Sequence, residues 1–91
     1  MKVFASPTFT TSGQVGGQTS SVYYGYSCTV VTAVGNIQIR EGGAAGQVID
    51  VIAATTPAGT LELYSVGIQF DGVIYVEYTG GATGSVVILY E

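Results

Sequence analysis

The chain has 91 residues and a formal net charge of -4, with 47% hydrophobic and only 9% charged residues. That is room for one domain with a modest core, and far less charge than the about 25% of a usual soluble domain. Two basic residues, Lys2 and Arg40, are too few to neutralise a nucleic-acid backbone or to hold an anionic membrane surface. The lack of histidine beside a single cysteine removes the ordinary nucleophile–base pairs and zinc sites.

The start, MKVFASPTFTTSG, has no apolar core of the kind that marks a secretion signal. The chain is therefore expected to be used whole, in a soluble setting. Residues 5–20 are polar, small and glycine-rich, and residues 1–20 are expected to form an N-terminal arm or extended segment. It is either loose or ordered on a neighbouring subunit, with Phe4, Pro7 and Phe9 as its bulky or rigid anchors. Residues 21–91 are expected to form a single domain.

After Ser20 the composition changes. SVYYGYSCTVVTAV is rich in Val, Thr and Tyr, which favour a pleated surface, and Gly25 marks a bulge or short turn within it. Cys28 sits in this run as a small apolar side chain. NIQIR alternates, with Ile37 and Ile39 on one face and Gln38 and Arg40 on the other. QVIDVIAA sets Ile49 and Val51 against Val48, Asp50 and Ile52. TTPAGT reads as a turn. LELYSV places Leu61 and Leu63 opposite Glu62 and Tyr64. GIQF reads as a further short strand, and Asp71–Gly72 as a hairpin into VIYVEY. SVVILY closes the chain.

No stretch keeps apolar residues at helical spacing over three turns, and the chain has only three leucines. AGQVIDVIAA comes nearest to a helix, but its Val and Ile disfavour one. Seven to eight short strands with regular turn signals predict an all-β chain: an antiparallel, jelly-roll-like β-sandwich.

Two glycine corners repeat, GGAAGQV from Gly42 and GGATGSV from Gly80. A phosphate-binding loop needs a helix after its glycines, and the commonest one ends in Lys followed by Ser or Thr. Both corners lead instead into Val-rich runs and hold no lysine, so they read as turns that need positive φ. The six acids, Glu41, Asp50, Glu62, Asp71, Glu77 and Glu91, share no local motif. No catalytic residue, metal or cofactor is expected. Seven tyrosines are the most prominent chemical feature, and Tyr23, Tyr24 and Tyr26 cluster. Packing at the rim of the core is the ordinary explanation for any one of them; contact with a partner is the functional one.

The second half then resembles a known kind of protein. Gly42, Gly43, Gly46, Ala58, Gly59, Thr60, Gly67, Ile68, Phe70, Gly72, Tyr75, Val76, Gly80 and Tyr90 follow a pattern of corners and strands that is similar to small virion proteins of tailed phages. Head decoration or cement proteins and head-spike base proteins are of this kind. The resemblance covers residues 36–91 and implies a sandwich subunit on the outer head surface, made in the host cytoplasm. It also implies a homotrimer beside the major capsid protein, with a head fibre or spike as a further partner. Phe4, Pro7, Phe9, Tyr23, Tyr24 and Tyr26 are the expected partner contacts. The alternative is a carbohydrate-binding or fibre- or tail-associated sandwich module of a virion, whose clustered tyrosines stack on a sugar ring.

Overall fold

A computed structural model describes residues 3–15, 21–30 and 34–91. Among these, eight strands form: β1 (Phe4–Ala5), β2 (Gly13–Val15), β3 (Ser21–Val30), β4 (Asn36–Glu41), β5 (Gln47–Ile52), β6 (Thr60–Phe70), β7 (Ile74–Thr79) and β8 (Ser85–Tyr90). They build two four-stranded sheets, one in the order β1-β8-β3-β6 and the other β2-β7-β4-β5. Every pairing is antiparallel. The chain is thus a small all-β sandwich, as its alternating pattern predicts. The segment nearest to a helix is β5, because its β-branched residues pack well on a sheet.

Between the sheets lie Val15, Tyr23, Tyr26, Cys28, Ile37, Ile39, Ile52, Phe70, Ile74, Val76, Val86 and Ile88. Strands β4, β7 and β8 each alternate buried and half-buried residues, as a sheet with one covered face must.

Three elements differ from the sequence reading. Asp71–Gly72 is an arch rather than a hairpin, since β6 belongs to one sheet and β7 to the other. Phe70 and Ile74, on its two sides, are both fully buried, so each strand is drawn into the core from its own sheet. The only consecutive strands that pair are β4 and β5. LELYSV and GIQF form one strand, β6, which leaves the β3 ladder between Leu63 and Ile68. Finally, the described part of residues 1–20 is built into the sandwich. Phe4 and Ala5 pair with Tyr90 and Leu89, Phe9 bridges Val86, and Gly13–Val15 pairs with β7. Small polar residues suit such a path, because the segment must cross from one sheet edge to the other. Residues 1, 2 and 16–20 of the expected arm lie outside the described residues.

Gly25 holds the middle of β3 together. Tyr23 and Tyr26 are three apart yet both face the core, so one extra residue must be absorbed between them. Gly25 has φ 141°, and a Cβ there would fall on the Glu62 carbonyl oxygen. The two glycine corners are turns: Gly42, Gly43, Gly80, Gly81 and Gly84 all have positive φ, and they lead into β5 and β8.

Candidate interaction surface

The two outer faces of the sandwich differ in chemistry. On the β2-β7-β4-β5 sheet, Gln38 and Arg40 of β4 face outward beside Glu77 and Tyr75 of β7. Arg40, the only cation among the described residues, donates to the Gly46 carbonyl oxygen at 2.8 Å and to Gln38 Oε1. This face holds the charges, with the exposed Val48 and Val51 of β5 beside Arg40 and Gln38.

The other sheet inverts that pattern. Val86 and Ile88 of β8 are buried, so Val87 and Leu89 point out. The register sets Ser27 beside both Val87 and Leu61, Gly25 beside both Leu89 and Leu63, and Ala5 beside Leu89. Leu61 is 61% exposed and Leu63 54%. The face therefore carries two apolar ridges, Leu61–Leu63 and Val87–Leu89. Between them runs a trough floored by Gly25 and Ser27. No charged side chain stands among these residues. Glu62 lies opposite Tyr26 on the inter-sheet side, and Glu91 pairs with Val22 at the far end of the face, beside Tyr24.

Tyr24 closes one end of the face. It is on the outer side because of the extra residue at Gly25, and it is buried. Its ring and the Val22 side chain lie over Gly67, where a Cβ would stand 2.8 Å from the ring. Its hydroxyl donates to Glu91 Oε1 at 3.3 Å. Among the described residues the backbone of β6 pairs only with β3, which leaves its other side as a sheet edge, and Val66 on it is 80% exposed.

Beside this edge a polar clamp joins the sheets. The Tyr23 and Tyr64 hydroxyls both donate to Asp50 Oδ2 at 2.8 Å, while Asp50 Oδ1 accepts from the Val51 N–H. Burial, then the hydrogen bond to Asp50, pushes both phenols above the usual tyrosine range. Both stay protonated at neutral pH, which suits a structural tie and not a nucleophile or base. Among the described residues no three of His, Cys, Asp and Glu gather as a metal site, and no pocket opens.

The residues expected to contact a partner fall into two groups. Phe4 is 49% exposed, its ring tilted against Tyr90 at 6.2 Å; Pro7 is exposed and Phe9 packs partly against the core. Tyr23, Tyr24 and Tyr26 are buried. A buried ring offers no face to a sugar or a neighbour, so these three act inside the subunit. The outward leucines were not legible as a surface, because LELY alternates equally well in either orientation.

No family model, no curated protein and no solved structure matches this chain.

Proposed function

We propose that this chain is a structural accessory protein of a virion, a decoration or cement subunit. It works as a homo-oligomer on the outside of a phage head, beside the major capsid protein. The observation that carries this reading is the uncharged face of Leu61, Leu63, Val87 and Leu89. Exposed apolar surface on a sheet is a liability unless another surface covers it, and adhesion is what a cement subunit does. The strand order, 1-8-3-6 facing 2-7-4-5, supports a jelly roll, an architecture used by viral capsid and lectin domains alike. The carbohydrate alternative loses its stacking platform, since Tyr23 and Tyr26 are in the core.

Immunogold labelling of virions that encode the chain tests this reading. Gold over the head shell is the expected result. Particles without label, or with label confined to the tail, overturn the head assignment.

A further inference from the structure

We infer that the apolar face of the β1-β8-β3-β6 sheet is where a second copy of this chain docks, face to face across a two-fold axis. The inference rests on the adhesive reading above, but it replaces the expected three-fold order with a pair.

Three observations select a second copy. The first is charge. The molecule carries a net charge of -4, so most approaches of one copy to another bring carboxylates together. On this face neither ridge nor trough holds a charge: Glu62 is turned to the inter-sheet side, and the one carboxylate on the outer side, Glu91, pairs with Val22 at the Tyr24 end and accepts from the Tyr24 hydroxyl. Two copies meeting here desolvate no carboxylate among those ridges, and repulsion between charges beyond about 10 Å is largely screened by salt.

The second is shape. In a two-fold contact the same patch must fit itself. Here the Leu61–Leu63 ridge on β6 and the Val87–Leu89 ridge on β8 flank Gly25 and Ser27 on β3. Strands lie about 4.8 Å apart, so the ridges stand roughly 10 Å from each other. That gap admits one row of leucine side chains. One copy's Leu61 and Leu63 fill the partner copy's trough, and the reverse contact follows by symmetry.

The third is area. Strands β8, β3 and β6 over about six residues each, with the two-residue β1 at the edge, make a face of roughly 15 by 20 Å in plan. Side-chain relief raises its accessible area to about 450 Å² per copy, or about 900 Å² for the pair, the size of a weak, transient contact. The pair should therefore be reversible, with dissociation in the micromolar range, near 10 μM.

Sedimentation of the full chain over a dilution series tests the inference. The expected result is a shift from twice the 9.3 kDa chain mass at about 100 μM to the single mass at about 1 μM. Leu63→Lys should raise the dissociation constant at least tenfold. Gln38→Lys, on the opposite face, should leave it unchanged. Should Leu63→Lys fail to fold, methyl NMR of the unaltered chain replaces it, and Leu61, Leu63, Val87 and Leu89 should shift on dilution. A single mass at all concentrations, a dimer untouched by Leu63→Lys, or shifts confined to the other sheet overturn the inference. A trimer on particles that ignores Leu63→Lys sinks the pair and spares the decoration reading. A Leu63-dependent dimer that never reaches the head does the reverse.

Discussion

Tyr23 on β3 and Asp50 on β5 meet across the sandwich, the phenol donating to the carboxylate at 2.8 Å. Tyr64 brings β6 into the same contact at 2.8 Å. One carboxylate oxygen thus ties two strands of one sheet to the edge strand of the other. These strands are linked by connections that cross between sheets, so the tie limits splaying at the open side.

Removing the acceptor leaves the Tyr23 hydroxyl without its partner in a buried setting, which costs about 1–3 kcal/mol. Asp50→Ala is expected to lower the urea unfolding free energy by that amount. Asp50→Asn, which keeps an acceptor oxygen, should lose roughly half as much. Equal stability of Asp50→Ala and the unaltered chain would show that the clamp does not hold the sheets.

The glycines on the two sides of the outer face give unequal outcomes. Gly25→Ala drives a Cβ into the Glu62 backbone at a φ that side chains rarely adopt; it should abolish folding or cost about 3 kcal/mol or more. Gly67→Ala meets side chains only, Val22 and the Tyr24 ring. It should cost about 1–3 kcal/mol while preserving the fold. Thermal melts followed by circular dichroism separate the two.

High pH should unfold the protein cooperatively. The Tyr23 and Tyr64 phenols are raised above the usual tyrosine range in the fold, so above about pH 10 the unfolded chain loses protons that the folded chain keeps. Stability is then fully present below the unfolded value and falls as pH rises beyond it. Tyrosinate absorbance should show a late step that coincides with loss of sheet signal. A smooth titration with the fold intact would contradict this.

The N-terminal segment should contribute to stability as well as to adhesion. Ser6 is buried, its N–H donates to the Ile88 carbonyl oxygen at 2.8 Å, and its Oγ accepts from the Ile88 N–H at 2.8 Å. The Tyr78 N–H donates to Ser12 Oγ at 2.9 Å. Ser6→Ala orphans the Ile88 N–H and should cost about 1–3 kcal/mol. Deleting residues 1–15 strips an edge from each sheet, so loss of secondary structure is expected even without particles. A deletion variant as stable as the full chain would return this segment to the role of a free arm.

How much of this was legible beforehand depended on distance along the chain. The all-β class, the corners at Gly42 and Gly80, the bulge at Gly25 and the inward Ile37 and Ile39 are local consequences of β-branching, period-two alternation and positive φ. They needed no neighbour to define them. The destination of a strand is not local. Asp71–Gly72 has the residues of a hairpin, but the separate burial of Phe70 and Ile74 makes it an arch. Tyr23 and Tyr26 became core, and Leu61 and Leu63 became surface, because one residue inserted at Gly25 reverses which side chains of β3 face the other sheet. Sequence alone settled which segments extend and where they turn, since those preferences belong to single residues and their neighbours. Only the packed sheets decided which face is covered, because burial is shared between strands that lie far apart in the chain.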